Sequence, residues 1–298
     1  MATHPFQFAL NTSTIRCGEI GLIDKIEVTR RAGYDGIEPW VEEIDAYQAQ
    51  GGKLDDLAKR FRDAGLQVVN LIGFFAWASG DEGERREGLA EARRCFDMAR
   101  HVGCPCVAAP PWGIHEMPGL DLFAIAERYA ELIDIGKECG VVPVLEFWGI
   151  AKTLGHLGEA LLVASECGRT EACVLADVFH IYKSTGHFRG LRLLGPKTLG
   201  LVHVNDYPAE PPRGEINDSH RVMPGDGVAP LDQILADLKA IGFRGWLSLE
   251  LFNRDYWQRP ALETAQTGLA KMKAAVRKAL RASSQAAACP CIAGRTRP

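Results

Sequence analysis

Four ionisable side chains lie in apolar runs in the second half of the chain, each at a point where a buried strand would end. They are Glu146 in "VLEF", Asp177 in "VLADV", His203 in "VHVND" and Glu250 in "LSLELF". Taken singly, each has a structural explanation: a glutamate can pair with a lysine, an aspartate can cap a turn, and a neighbour can satisfy a core histidine. Taken together, three buried carboxylates need a compensating cation, because an unpaired buried charge is strongly unfavourable. A bound divalent metal meets this need.

The ligand types narrow the choice of metal. Three carboxylates and one imidazole suit Mn²⁺, Co²⁺ or Mg²⁺ better than a structural zinc site, although Zn²⁺ stays an alternative. We therefore expect one divalent ion, with Mn²⁺ as the leading candidate. His180 follows Asp177 by three residues. It is either a substrate ligand near the metal or a residue that begins a helix.

The elements that would position these residues alternate regularly along the chain. Apolar runs predict strands at 6–11, 35–40, 66–73, 104–111, 141–147, 172–178, 200–205 and 245–251. Amphipathic segments predict helices at 20–34, 54–65, 83–103, 120–140, 156–167, 188–198, 230–241 and 261–281. Glycines that could end helices before the next strand are Gly33, Gly65, Gly103, Gly140, Gly168, Gly200 and Gly242.

Eight strands that alternate with eight helices indicate an α/β protein with a (β/α)8 TIM-barrel fold. A doubly wound sheet is less favoured, because no glycine-rich fingerprint follows the first strand. We predict a single domain over residues 1–282, and a disordered tail over residues 283–298, which lack an amphipathic period. Chemistry in such a barrel belongs at the carboxyl ends of the strands, so the four ionisable residues should converge there.

Composition excludes several classes of function. The chain has 298 residues and a formal net charge of −4, so it has no basic surplus for binding nucleic acid. No apolar run reaches the roughly 18 residues that span a bilayer, and the N-terminal residues do not resemble a signal peptide, so we expect a cytoplasmic protein. Its nine scattered cysteines are predicted to be reduced thiols, mostly buried. A homo-oligomer is compatible with the sequence.

The set Glu146, Asp177-x-x-His180, His203 and Glu250, followed by "HRVMPGDG" at 220–227, resembles the xylose isomerase-like superfamily of sugar isomerases and epimerases. The stretches "FALNTSTI", "YDGIEPW", "DVFHIY" and "LSLELFNRDYW" extend the resemblance to about residue 280, and it is closest to the 2-keto-myo-inositol (inosose) isomerases. It implies that Glu146 and Glu250 both ligate the metal and act as the acid and the base.

Two departures limit what the resemblance implies. Endonucleases of the superfamily hold three zinc ions with an extra Asp-x-His motif, but Ser219 and Arg221 occupy those positions here. Ketohexose epimerases carry a second glutamate six residues after the strand-five ligand, where this chain has Lys152. A trinuclear site and a free-ketohexose substrate are therefore not expected.

The resulting hypothesis is a metal-dependent isomerase or epimerase of a small keto-polyol or keto-sugar, with inosose as the best candidate, that acts through an enediolate. Candidate substrate-binding residues are His180, Arg221, Glu38 and Lys152. Arg221 could instead form a loop salt bridge with Asp218 or Asp226. Aromatic residues that could wall the pocket, or could simply pack loops, are Trp40, Phe74, Phe75, Trp77, Trp112 and Trp148.

Two alternatives stay open. One is a metal-dependent lyase, either a 3-dehydroshikimate dehydratase-like enzyme or a 3-keto-glycoside eliminase. The other is a non-catalytic sugar-binding barrel, which would be expected to lose one of the two glutamates, yet both Glu146 and Glu250 are present.

Overall fold

The computed structural model describes residues 5–18 and 20–287, with side chains as far as residue 281. Within these residues, eight parallel strands form one sheet in the order β3-β2-β1-β8-β7-β6-β5-β4. The strands are β1 Gln7–Asn11, β2 Gly36–Glu38, β3 Gln67–Val68, β4 Cys106–Ala109, β5 Val142–Glu146, β6 Val174–Asp177, β7 Leu199–Val204 and β8 Trp246–Leu249. A parallel bridge between Leu71 and Val107 joins the two ends of the sheet. The predicted (β/α)8 barrel is therefore confirmed.

Helices surround the sheet and connect successive strands. In the described part of the chain the α-helices are α1 Leu22–Ala32, α2 Val41–Ala49, α3 Leu54–Asp63, α4 Glu82–Val102, α5 Leu122–Cys139, α6 Leu157–Glu166, α7 Val178–Ser184, α8 Leu231–Ala240, α9 Arg254–Trp257 and α10 Ala261–Ala287. Short 3-10 helices cover Thr12–Ile15, Phe188–Leu193 and Asp218–His220. None of the described helices is both long and apolar enough to cross a membrane.

The connection between β6 and β7 differs from the prediction. An α-helix was expected over 188–198, but the structure has a 3-10 helix over Phe188–Leu193, and the α-helix of this connection is α7, directly after β6. Gly190 and the Gly195-Pro196 pair explain the difference, because glycine lowers helix stability and proline cannot donate the next helical hydrogen bond. The predicted strict alternation also missed α2 and α9.

Gly200 was predicted to end a helix, but it lies inside β7. The register between β6 and β7 shifts here, because Val174 pairs with Leu199 and Leu175 pairs with Leu201. A Cβ on Gly200 would lie 3.0 Å from the Val144 side chain. Glycine therefore serves a bulge and a close approach inside the barrel.

The barrel encloses a small apolar cluster, and a much larger core lies between the sheet and the helices. Small and medium side chains fill the interior, including Ala9, Ala108, Val144, Leu175 and Leu201. This layer forms the floor on which the functional residues stand.

The last helix continues to Ala287, past residue 282, where the sequence suggested that the domain ends. The rest of the predicted tail, residues 288–298, lies outside the described residues.

Candidate active site

The polar residues above the barrel floor are placed by the two-residue period of the strands. Leu175 and Leu201 point into the interior cluster, so Asp177 and His203, two residues further along β6 and β7, also point inward but one layer higher. Asp177 and His203 are direct partners in the parallel register. Side chains alternate in this way along every strand, so the predicted metal ligands at the strand ends all point into the same end of the barrel.

Three of the four predicted metal ligands come close together. One ligand atom from each of Asp177, His203 and Glu250 lies within 4.8 Å of the others, and all three residues are buried. His203 Nδ1 lies 3.1 Å from Glu250 Oε2 and 3.5 Å from Asp177 Oδ2. These contacts lack hydrogen-bond geometry, so Nδ1 is a buried nitrogen without a hydrogen-bond partner. Such a nitrogen facing two carboxylates is suited to binding a cation.

The other ring nitrogen of His203 is held by Glu38, whose Oε1 lies 2.9 Å from Nε2. Asn70 donates to the same oxygen at 2.8 Å, while Asn11 and Ser248 donate to Oε2 at 2.9 and 2.6 Å. Glu38 is fully buried. The geometry therefore gives no support to Glu38 as a ligand of substrate hydroxyls, because protein groups occupy both of its oxygens. Glu38 instead orients the imidazole of His203 through Nε2, the ring nitrogen that faces away from Asp177 and Glu250.

Charge pairing dominates the electrostatics of this layer. Burial alone would raise the pKa of Glu38, but the charge of His203 and the hydrogen bonds to the carboxylate outweigh it and hold that pKa below its usual value. Burial would likewise lower the pKa of His203, but the charges of Glu250 and Glu38 raise it well above its usual value. Negative charge thus dominates around the imidazole, and this favours a cation there.

Glu146, the fourth predicted ligand, ends β5 and is 5% exposed. It lies outside the three-residue group described above. Burial is the largest cause that raises its pKa to about 8, and repulsion from Glu250, Asp177 and Glu38 adds to it, while His203 opposes it. Glu146 therefore lacks the charge compensation that its neighbours have.

Arg221 reaches the same carboxylates from the loop after β7. Its Nη1 donates to Asp177 Oδ2 at 2.7 Å and to Glu250 Oε2 at 2.9 Å. Its Nε donates to Asp218 Oδ1 at 2.9 Å, so of the two loop salt bridges considered, the one with Asp218 forms. Arg221 also lines the cavity above the barrel. The structure thus shows the loop salt bridge and places Arg221 in the cavity wall.

His180 occupies the first turn of α7. Its backbone N–H donates to Asp177 Oδ1 at 3.0 Å, so Asp177 caps the helix while its other oxygen faces His203 and Arg221. The His180 side chain lines the cavity, and its buried Nδ1 has no hydrogen-bond partner. His180 thus lies at a helix start, as one alternative predicted, and its role as a substrate ligand stays a prediction.

The cavity has a volume of about 670 Å³. Of the candidate aromatic residues, Trp40, Phe74 and Trp148 line it. Phe75 and Trp77 are instead buried in the outer core at 2% and 0% exposure. For these two residues the alternative of packing, rather than walling the pocket, holds.

Trp112 stacks on Phe74 at the cavity rim, with 5.0 Å between ring centroids. Lys152 is not among the lining residues. Its ammonium pairs with Glu116 at 3.0 Å, and both side chains are more than half exposed. The geometry therefore gives no support to Lys152 as a substrate contact.

Sequence reasoning missed the neutral amides around the site. Asn11 ends β1 and donates to both Glu38 and Glu250, at 2.9 and 3.1 Å. Asn205 donates to Asp177 at 3.2 Å. Their place at strand ends was a usable signal, but the prediction considered only ionisable residues there.

The loop that carries Arg221 is fixed by Asp206. The Asp206 carboxylate accepts backbone N–H groups from Tyr207, Gly225, Gly227 and Ala229 at 2.8, 2.9, 3.1 and 2.8 Å. Its backbone also pairs with Val222 in an antiparallel bridge. Asp206 thus fixes the "HRVMPGDG" segment twice, through its side chain near Gly225 and Gly227 and through its backbone at Val222.

Comparison with known proteins shows which family the chain resembles. A sequence model of the family described as "Xylose isomerase-like TIM barrel" matches residues 26–275. The inosose isomerase of Bacillus velezensis is 29% identical over 257 residues, which cover 85% of this chain and 91% of that protein. The 3-dehydroshikimate dehydratase of Pseudomonas aeruginosa is 29% identical over 83% of this chain but only 39% of its own length.

A similar solved structure is that of the IOLI protein with a zinc atom. It superposes with a TM-score of 0.84 at 26% identity, and the match covers 92% of this chain and 99% of that chain.

Proposed function

The chain belongs to the xylose isomerase-like TIM-barrel family, and from this premise we propose that it is a divalent-metal-dependent isomerase or epimerase of a keto-polyol or keto-sugar. Inosose is the leading substrate, because the inosose isomerase of Bacillus velezensis is similar over 85% of the chain. The observation that carries the proposal is the unpartnered, buried Nδ1 of His203 between Asp177 and Glu250.

The donor set fits a divalent cation. Asp177, His203 and Glu250 would hold the ion, and Glu146 is the proposed fourth ligand. Glu38 would fix the ring of His203 by accepting its Nε2–H, an arrangement that recurs behind metal-binding histidines. Mn²⁺ suits the oxygen-rich set, and the zinc atom of the IOLI protein supports Zn²⁺ as a competitor.

A divalent ion bound there would polarise a substrate carbonyl and stabilise the negative charge that develops when a neighbouring C–H bond is broken. The protein must also supply an acid and a base. Glu146 and Glu250 both line the cavity and come from β5 and from the end of β8. We propose that one of them removes a proton from the carbon beside the carbonyl to give an enediolate. The other then protonates the enediolate, either on the second carbon, which gives isomerisation, or on the opposite face of the first carbon, which gives epimerisation.

The remaining residues orient the reacting groups. Arg221 holds one oxygen of Glu250, and Asn11 holds the other, so the plane of the carboxylate is fixed. The imidazole of His180 lines the cavity, and its Nδ1 has no partner in the protein, so it is available to a substrate hydroxyl. The N–H groups of Arg221 already contact the carboxylates of Asp177, Glu250 and Asp218 and the ring of His180, so its role is to orient these groups. A fixed carboxylate and fixed donors hold a bound polyol in one orientation, which is how such sites lower a barrier.

A lyase is the second candidate, and the similarity to the Pseudomonas aeruginosa dehydratase favours it. Elimination begins with the same loss of a proton beside a carbonyl. The two reactions separate only at the next step, in which a lyase expels a β-hydroxyl or other leaving group and an isomerase returns the proton.

Incubation of the manganese-loaded enzyme with 2-keto-myo-inositol in D₂O tests the proposal. An isomerase or epimerase incorporates deuterium beside the carbonyl, as seen by NMR, and its product keeps the elements of water. Glu250→Gln should slow this exchange at least about 100-fold, while the exposed control Glu42→Gln should not change it. Rapid formation of an ultraviolet-absorbing product from 3-dehydroshikimate or a 3-keto-glucoside, with no exchange on inosose, would reassign the protein to the lyases.

A further inference from the structure

Phe74 and Trp148 line the cavity, and their rings contact those of Trp112 and His115. We call these four residues the outer aromatic cluster. We infer that this cluster binds an aromatic substituent carried by the substrate, so that the substrate class is a keto-polyol bearing a flat apolar group. The inference rests on the proposed function, which has the reacting polyol bind at the carboxylates.

The cavity is lined by two kinds of residue. They include the ionisable residues Glu146, Arg221 and Glu250, and also the apolar residues Phe74 and Ile150. The hydroxyls of a polyol suit the charged residues. The apolar residues suit a part of the ligand that prefers carbon surfaces to water.

The rings of the cluster are arranged in a stack. Phe74 and Trp112 are 5.0 Å apart at an interplanar angle of 20°, and Trp112 and His115 are 5.5 Å apart at the same angle. Trp148 lies edge-on to Phe74 at 87°, at a distance of 5.7 Å. These are the offset-stacked and edge-to-face arrangements that aromatic groups prefer. An incoming ring would extend an arrangement that is already ordered, so little further ordering is needed on binding.

The cluster is only partly covered by the protein. Phe74 is 40% exposed, Trp112 is 41% exposed and Ile150 is 50% exposed. Large apolar groups exposed side by side are uncommon unless a ligand or partner covers them. Phe74 and Ile150 line the same cavity as the proposed acid and base residues. A ligand in the site is therefore the group that we expect to cover them.

The size of the cavity agrees with a ligand of two parts. Its volume of about 670 Å³ lies within the range of about 300–1,000 Å³ that is typical of sites for drug-sized molecules. One six-membered polyol ring would fill only part of this volume. A polyol joined to a phenyl-sized group would fill more of it.

Binding measurements with unreactive polyols test this without relying on turnover. We would compare myo-inositol, its mono-O-benzyl ether and an inositol bearing a hexose, by calorimetry on protein purified without chelator. The benzyl ether should bind about 10- to 100-fold more tightly than myo-inositol, as expected when one phenyl ring is buried. The hexose derivative should show no comparable gain.

Variants locate the effect. Phe74→Ala should remove most of the benzyl advantage, measured as the ratio of the affinities for the benzyl ether and for myo-inositol in the same variant. Phe74→Leu and Trp112→Leu, which keep apolar bulk but lose the flat ring, should remove part of it and guard against a folding defect in the alanine variant. Phe123→Ala is the matched control, because Phe123 is 59% exposed but not part of the cluster.

The outcomes separate this inference from the proposed function. A benzyl advantage that depends on Phe74, without exchange on inosose, would support the aromatic subsite and contradict the isomerase. Exchange on inosose, with equal affinity for the benzyl ether and myo-inositol, would overturn the subsite alone. Preference for the hexose derivative would also overturn it. So would a wild-type dimer, seen by sedimentation, that Phe74→Ala dissociates, because the cluster would then bind a second copy of the chain.

Discussion

The carboxylate of Glu38 lies 2.9 Å from Nε2 of His203, and the opposite ring nitrogen faces Asp177 and Glu250 without a hydrogen-bond partner. The contact with Glu38 determines which ring nitrogen of His203 carries the proton. A histidine whose Nε2 carries the proton presents a lone pair at Nδ1, so Glu38 selects the ring form that can bind a cation.

Glu38→Gln tests this relationship. We expect the fold to persist and the affinity for Mn²⁺ or Zn²⁺ to fall about 10- to 100-fold, as is typical when a group behind a metal-binding histidine is changed. Competition titration against a chelator measures the affinity. Glu42→Gln, which changes an exposed carboxylate paired with Arg16, is the control. An affinity unchanged in Glu38→Gln would show that the carboxylate does not orient the ligand.

Arg221→Met should make the stability depend strongly on metal. Without the guanidinium, Asp177 and Glu250 lose a buried partner, so the metal-free variant should lose about 3–5 kcal/mol of unfolding free energy. Bound Mn²⁺ should restore part of that loss, since a cation again lies between the carboxylates. Urea unfolding with EDTA and with Mn²⁺ measures the two values. Arg169→Met, which removes an exposed pair with Asp134, should lose little in either condition, and equal losses for Arg221→Met in both would argue against a shared cation site.

Asp206→Ala should weaken the loop that carries Arg221. The change leaves four backbone N–H groups without their acceptor. We expect a loss of about 3 kcal/mol or more in urea unfolding, because hydrogen bonds to a buried charge are strong and unsatisfied donors are unfavourable. Asp232→Ala, at an exposed pair with Lys278, is the control. A variant as stable as the control would mean that water replaces the carboxylate.

The cysteines whose pKa is strongly raised should be inert in the folded protein. The described cysteines are free thiols, and burial is the main cause that raises the pKa values of Cys95, Cys106 and Cys173 to about 12. At pH 8 a thiol of that pKa is a reactive thiolate only about one part in 10⁴ of the time, and the fraction rises tenfold per pH unit. In a variant with both Cys289 and Cys291 replaced by serine, these three thiols should react with a disulfide reagent only after denaturation. Rapid native labelling of Cys95, found by peptide mapping, would contradict their burial.

The sequence was sufficient to predict the fold and the convergence of the ionisable residues, for a simple physical reason. Buried parallel strands read as apolar runs, and their two-residue period carries Asp177 and His203 to the same rim as Glu250. Residues on long connections could not be placed in this way. Lys152 and Trp77 follow strands, but their directions depend on the turns between, which no period determines.

The role of Glu38 shows a second limit. Its place at the end of β2 was clear, yet whether it faces the substrate or another side chain depends on cross-barrel distances. Those distances follow from strand tilt and from neighbours such as Asn11, Asn70 and Ser248, which are not close to it in sequence. The position of Glu38 at the end of β2 was predictable, but its contact with His203 was not.

The central claim is that Asp177, His203 and Glu250 hold one divalent ion at the end of the barrel. Anomalous diffraction from crystals grown with Mn²⁺ tests it most directly. We expect one strong peak per chain, in contact with His203 Nδ1 and with carboxylate oxygens of Asp177 and Glu250, and no such peak in crystals of His203→Ala. A wild-type map without a peak at this position, or with its only peak elsewhere on the molecule, would contradict the account.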